Sequence, residues 1–197
     1  MKTEIEAMFL DVVVEDIRKR LEDAGATLVH PMRLMKRALI EEAHHAKENA
    51  FIRIRDEGDK VTLTFKRRSS KVADMGIDST KEIETTVGDF DKTVTIFAEA
   101  GWPYITLQES RRETWQLGEA EVVIDEWPWI KPYIEIEAKS EAIVKDAAAA
   151  LGFEWKDAVF GIVDYVYQRD FPNMSVRGII DVKNARFGDP VPEVFLR

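Results

Sequence analysis

The chain has no cysteine in its 197 residues, which excludes a disulfide framework and thiolate chemistry. It has only three histidines, His30, His44 and His45. His44 and His45 share a polar stretch that reads as a surface loop, where a metal role would need further ligands, and His30 has no partner in sequence and reads as structural. Positive charge is scarce, with 28 Lys and Arg against 37 Asp and Glu and a net charge of -9. That balance argues against non-specific nucleic-acid binding and against a membrane-surface protein, both of which need a basic face. There is no apolar run of membrane length and no signal-peptide pattern, so the cytoplasm is the expected location. A Gly-rich phosphate loop, an HExxH helix and an internal repeat of fixed period are all missing. An anionic small molecule stays open, because the local field matters more to it than net charge.

What is present is alternation. The residues predict strands over 3–10, 50–55, 60–67, 80–87, 103–117, 121–127 and 133–138, with a noisier extended stretch from Thr27 to Ile40. Glu57-Gly58-Asp59 is a hairpin turn. Glu41 to Glu48 reads as a turn or loop. Helical spacing covers Val12 to Ala24, Gly88 to Ala100, Ser140 to Leu151 and a tail segment within Ala158 to Arg169. About eight strands, mostly joined by hairpins, predict an α+β fold: an eight-stranded antiparallel closed β-barrel with flanking helices. Residues 1–170 form the expected main domain, and 171–197 a C-terminal extension packed on it.

Within the strands, like charges recur in pairs two residues apart: Glu4/Glu6, Arg53/Arg55, Glu82/Glu84 and Glu135/Glu137, each with Ile between. Lys66 and Asp125 add single charges on strands whose alternate positions are apolar. Residues two apart on a strand share a face. For any one pair, a solvated strand face is the ordinary explanation. Four such pairs in one antiparallel set point instead to a barrel turned inside out. Charged residues then line a tunnel, and apolar residues point outward under helices. Enclosed charges must neutralise one another or a ligand. Glu4, Glu6, Glu82, Glu84, Asp125, Glu135 and Glu137 make seven acids; Arg53, Arg55, Lys66 and Arg112 make four bases. Carboxylates without His or Cys suit hard divalent cations such as Mg²⁺ or Mn²⁺. Paired guanidinium groups suit phosphate oxygens. A polyphosphate with metal would satisfy both.

These residues resemble the signature of the CYTH family, the triphosphate tunnel metalloenzymes, which include class IV adenylyl cyclases, thiamine triphosphatases and tripolyphosphatases. The family's E-x-E-x-K strand is similar to Glu4-Ile5-Glu6-Ala7-Met8, its R-x-R to Arg53-Ile54-Arg55 and its T-x-K to Thr64-Phe65-Lys66. Its central E-x-E is similar to Glu82-Ile83-Glu84, its K-x-R strand to Ser110-Arg111-Arg112 ahead of Trp115, its late aspartate to Asp125 and its final E-x-E to Glu135-Ile136-Glu137. The resemblance implies a small-molecule triphosphate bound end-on with divalent metal, in a monomer or homodimer. It implies Glu4, Glu6, Asp125, Glu135 and Glu137 as metal ligands, and Arg53, Arg55, Lys66 and Arg112 as phosphate ligands. Lys66, Arg53, Glu82 and Glu84 are the candidates for the chemistry. Met8 replaces the family lysine and Ser110 replaces a further base. Arg33, Lys36 or Arg37 would have to stand in for the first, and Arg111, through a bulge, for the second. Metal-dependent hydrolysis of a triphosphate is the expected activity. Cyclic AMP formation from ATP and, given Met8, non-catalytic nucleotide or polyphosphate binding are the alternatives.

Three further stretches carry expectations. The basic run Lys66-Arg67-Arg68 with Lys71 would steer anions toward a mouth loop spanning Arg67 to Asp78. Trp127, Trp129 and Tyr133 flank the last strand and read as packing in preference to base stacking. Phe160 to Phe171 would plug one tunnel end or pack at an edge.

Overall fold

The computed structural model describes residues 1–68, 76–78, 80–175 and 177–196. The chain begins with two short strands, β1 (Lys2–Glu4) and β2 (Glu6–Phe9), interrupted at Ile5. There follow α1 (Val14–Asp23), β3 (Thr27–Ile40), α2 (Ala43–Lys47), β4 (Ala50–Asp56), β5 (Val61–Arg68) and β6 (Thr80–Val87). The remainder comprises α3 (Phe90–Glu99), β7 (Thr106–Leu117), β8 (Ala120–Glu126), β9 (Tyr133–Glu137), α4 (Glu141–Ala150), α5 (Val163–Asp170), β10 (Asn184–Ala185) and α6 (Glu193–Leu196).

The strand path is β1-β6-β5-β4-β3-β7-β8-β9-β2, antiparallel throughout, with β10 added parallel to β7. Its two ends are consecutive in the chain, so the sheet curls into a nearly closed barrel. The path holds nine strands, not the expected eight, because the N-terminal strand changes partner midway. Glu4 pairs with Thr80 of β6, whereas Glu6 pairs with Glu137 of β9. At the break, Ala138 donates to the Ile5 carbonyl (3.1 Å) and Glu6 donates to the Ile77 carbonyl (3.1 Å). Met8 exchanges two 2.9 Å backbone bonds with Val159, covering the edge of β2. These bonds satisfy backbone groups that a partner change would otherwise leave unpaired.

The apolar side chains point outward, as the alternation predicts. Ala7, Phe9, Val122, Ile124, Ile134 and Ile136 lie buried beneath Ile17 and Leu21 of α1 and Val144, Ala147 and Ala148 of α4. Asp89 caps α3 by accepting from Lys92 N (2.8 Å), and Ser140 caps α4 by accepting from Ile143 N (3.4 Å). Helix α3 covers Ala38, Ile40 and Ile54 with Phe90, Val94 and Phe97. Each such side chain, fully buried, contributes about 1.5–3 kcal/mol, so the outer face supplies the hydrophobic core and the lumen is left to polar groups. The stretch from Glu41 to Glu48, expected as a loop, holds the single-turn α2. There His45 accepts from Glu42 N through Nδ1 (3.3 Å) and packs by its ring against Phe65 and Trp102, while His44 is exposed. Among the described residues no helix is long and apolar enough to cross a membrane.

One end of the barrel is stoppered. Val163, Val166 and Tyr167 of α5 are buried against Met8, Trp127 and Tyr133, and Tyr167 donates its hydroxyl to the Pro128 carbonyl (2.6 Å). Segment Phe160 to Phe171 is therefore a plug, not edge packing. The tail returns to lock it: Phe195 of α6 is buried between Trp129, Tyr167 and Phe171.

Candidate active site

The strand pleat turns every second side chain into the lumen, and cross-strand register places those side chains beside one another. Glu4, Glu6, Arg53, Arg55, Lys66, Glu82, Glu84, Arg112, Asp125, Glu135 and Glu137 all line one cavity of about 300 Å³. Arg111 does not. It pairs with Leu34 on the outer face, where it meets Glu126 (3.3 Å) and lies over the Phe187 ring (4.3 Å). The irregular register of β3 against β7 falls between Leu28 and Arg33 and does not bring Arg111 inward. Ser110 keeps its place on the wall. Arg33 and Arg37 are in the lumen, and Lys36 is outside it.

Charge is segregated around the wall. On one side, carboxylate oxygens of Glu4, Glu6 and Glu137 lie within 4.8 Å of one another. Glu4 is 5% exposed, and its buried Oε2 has no hydrogen-bond partner among the described residues. Glu6 opens onto the lumen but is hemmed in by protein. Burial, with Glu135 and Glu4 beside it, raises its pKa to about 8. Crowded acids with an unsatisfied buried oxygen, and no His or Cys, form a donor set that fits a hard divalent cation. Lys66 spans this wall, meeting Glu4 at 2.7 Å and Glu82 at 3.2 Å. Arg112 holds Asp125 through two nitrogens and Glu135 at 2.9 Å. Burial by itself would lower the Arg112 pKa, but Asp125 and Glu135 outweigh it and hold it well above the ordinary value. Burial keeps the Glu135 carboxyl raised, with Arg112 pulling the other way.

The opposite wall, from β3, β4 and β5, is basic. Arg37 sits opposite Arg55, and Arg53 opposite Thr64. Burial, with Arg55 and Arg37 adding like charge, lowers the Arg53 pKa to about 9, and burial lowers that of Arg37 to about 10. Both remain cationic at neutral pH. Glu84 approaches Arg53 at 3.3 Å and accepts from Thr64 at 2.7 Å. Among the described residues, the buried Nε atoms of Arg33, Arg53 and Arg68 have no hydrogen-bond partners. Three donors left unpaired on one wall are costly unless an acceptor arrives, and phosphate oxygens match guanidinium geometry.

Sequence reasoning missed Lys2, Glu57, Lys60, Glu121 and Asp164 as lumen residues and read Arg68 only as steering anions; all six line the cavity. Four of them continue patterns already in view. Lys2 precedes Glu4-x-Glu6, Arg68 follows Thr64-x-Lys66, Glu57 follows Arg53-x-Arg55, and Glu121 precedes Val123-x-Asp125. Glu57, assigned to the turn, is 4% exposed and accepts from Arg55 at 2.6 and 2.9 Å and from Thr62 at 3.2 Å. The turn itself needs Gly58, whose φ is +89°. With the added residues the lining carries ten acids and nine bases. Met8 faces inward beside Glu135 but is packed under the plug, 2% exposed. Trp127 and Tyr133 are buried on the cavity wall, with Arg37 over the Trp127 ring at 4.2 Å, whereas Trp129 donates to the Asp189 carbonyl (2.7 Å). Arg67 points outward to Glu48 (2.6 Å). Lys71 and most of the expected mouth loop lie outside the described residues.

The fold recurs in solved structures. The PH1012 protein of Pyrococcus horikoshii OT3 superposes with a TM-score of 0.66 at 21% identity, over 79% of this chain and 94% of its own. A Vibrio parahaemolyticus protein provisionally named an adenylate cyclase gives 0.70 at 8% identity, over 84% and 97%. A Hippeastrum protein provisionally named an adenylyl cyclase, and described as having a dominant triphosphatase activity, gives 0.55 at 13% identity, over 86% and 96%. No curated protein sequence matches the chain. The CYTH domain itself matches residues 3–156. With its ordered strand motifs gathered around one lumen, the chain belongs to the CYTH domain family.

Proposed function

We propose that the protein is a divalent-metal-dependent triphosphatase that takes the phosphate chain of inorganic tripolyphosphate or of an organic triphosphate into the tunnel. The observation that carries this is the division of the lumen. An acidic wall with an unsatisfied carboxylate oxygen on Glu4 faces a basic wall with unsatisfied Nε atoms on Arg33, Arg53 and Arg68. A bound Mg²⁺ or Mn²⁺ would supply charge neutralisation and an activated water. Glu4, Glu6 and Glu137 are the residues to hold it, with Asp125 and Glu135 tethered by Arg112 next to them. Arg53 and Arg55 grip the phosphate oxygens and stabilise charge that develops as the anhydride bond breaks. Lys66, already between Glu4 and Glu82, is placed to follow the substrate to the metal side. Glu84 fixes the Arg53 guanidinium, and Glu82 fixes Lys66. Arg37 supplies a cation near the position that Met8 leaves uncharged.

The test is incubation with Mg²⁺ or Mn²⁺ and tripolyphosphate, ATP or thiamine triphosphate. Phosphate release supports the hydrolase; cyclic AMP with pyrophosphate would replace it with a cyclase. Tight binding without product would favour the non-catalytic reading, which rests on Met8 being apolar and packed under the plug. The double variant Arg53→Ala/Arg55→Ala should abolish triphosphate binding; unchanged binding would overturn the tunnel assignment.

A further inference from the structure

Asp164 has no place in the chemistry just described, yet it is one of the most constrained side chains in the lumen. It stands in the first turn of α5, 4% exposed, on the cavity wall at the stoppered end. Its Oδ1 accepts from Ile179 N at 3.0 Å. A Cβ on Gly178 would lie 2.2 Å from that same oxygen, so the neighbouring turn carries glycine at a φ of +61° to make room for the carboxylate. The other plug residues lining the cavity there, Gly161, Ile162, Val163 and Ile180, are uncharged.

Across from the plug stand Arg37 and Arg68. Both are partly buried, Arg37 donates to Gln108 Oε1 at 2.6 Å, and among the described residues neither has a carboxylate within ion-pair distance. Each lies over an aromatic ring, Arg37 over Trp127 at 4.2 Å and Arg68 over Phe51 at 4.9 Å. Of the nearby acids Asp164 does most to raise the pKa of each, while burial raises its own and Arg68 and Arg37 pull it back toward the charged form. Asp164 lines the same cavity as Arg37 and Arg68, so a phosphate chain that reaches the two guanidinium groups also meets its carboxylate, in an enclosed site where repulsion is screened less than in bulk water.

We propose that Asp164 is a charge-based end stop, a specificity-determining residue that limits how far a phosphate chain advances and so selects short chains over long ones. The proposal rests on the anion-binding tunnel described above. Binding to the full chain is measured by calorimetry in EDTA with inorganic tripolyphosphate, tetrapolyphosphate and a longer linear polyphosphate. Asp164→Asn keeps a carbonyl oxygen to accept from Ile179 N and removes only the charge. It should shift the ratio of tetra- to tripolyphosphate affinity by tenfold or more toward the longer chain. Asp164→Glu keeps the charge and pushes it deeper, and should shift the ratio the other way, which provides a second measurement if Asp164→Asn folds poorly. Equal tightening for all chains, or no change in the ratio, would overturn the end stop while leaving the tunnel intact. If the wild-type protein binds none of the three, the anion-binding reading falls first and this proposal falls with it.

Discussion

The raised pKa of Glu6 makes the stability of the metal-free protein fall as pH rises, with a sign and a window that follow from its surroundings. The carboxyl is hemmed in beside Glu135 and Glu4, and its pKa stands at about 8 instead of the ordinary 4.5. In the native state it therefore keeps its proton through neutrality, whereas the unfolded chain gives it up near 4.5. The unfolded state then binds fewer protons than the native one across this interval, so unfolding becomes easier with each step in pH from about 4.5 to about 8 and levels off above that. A shift of this size corresponds to a few kcal/mol at most, since each pKa unit is worth about 1.4 kcal/mol and Glu6 titrates together with its neighbours. Urea unfolding followed by tryptophan fluorescence, from pH 5 to pH 9 in EDTA, measures it. Glu6→Gln removes the titration, so its stability should decline less steeply over the same interval and should exceed that of wild type at pH 8. Added Mn²⁺ must displace the proton, so stabilisation by the metal should grow with pH in wild type and shrink sharply in Glu6→Gln. A variant that keeps the full wild-type slope would refute the assignment of the buried proton to Glu6.

Three other outcomes are expected. Arg112→Met leaves Asp125, 1% exposed, and Glu135 without their cation, and should cost about 3–5 kcal/mol in denaturant unfolding; a loss below about 1 kcal/mol would mean the pair is not held as described. Gly178→Ala forces both a positive φ and a clash with Asp164, and should lower stability by about 2 kcal/mol or more. Adding Asp164→Ala should recover the part due to the clash, and strict additivity of the two losses would deny the contact. Met8→Lys places an amine beside Glu135 beneath the plug, and should raise triphosphate turnover tenfold or more if the missing cation limits the reaction; unchanged turnover with intact folding would show that Arg37 or Lys66 already fills the role.

Much of this architecture was legible because a barrel with a polar lumen writes its geometry into a period of two. Glu4-x-Glu6, Arg53-x-Arg55, Glu82-x-Glu84 and Glu135-x-Glu137 announce which face is enclosed, and Ile54, Ile136 and their neighbours announce which face lies under helices. The same rule places Glu57 and Arg68 in the lumen; a turn signal hid the first, and the second lies one step past its strand's expected limit, where it reads as part of the basic run at the mouth. Arg111 shows the rule from the other side: it is one residue from Arg112 and therefore outside.

What alternation along one strand cannot express is which strands meet, and with what offset. The change of partner at Ile5 depends on β6 and β9 arriving from opposite ends of the strand path, so nine strands form where local pattern predicts eight. The sorting of acids to one wall and arginines to another follows from strand order, not from composition. Asp164 falls inside the tail segment that reads as helical and carries no signal of its own; only the docking of α5 into the barrel end brings it onto one cavity wall with Arg37 and Arg68. Residue types and their spacing determined the chemistry of the lumen. Long-range pairing, which no local signal encodes, decided how the charges face one another and where the tunnel ends.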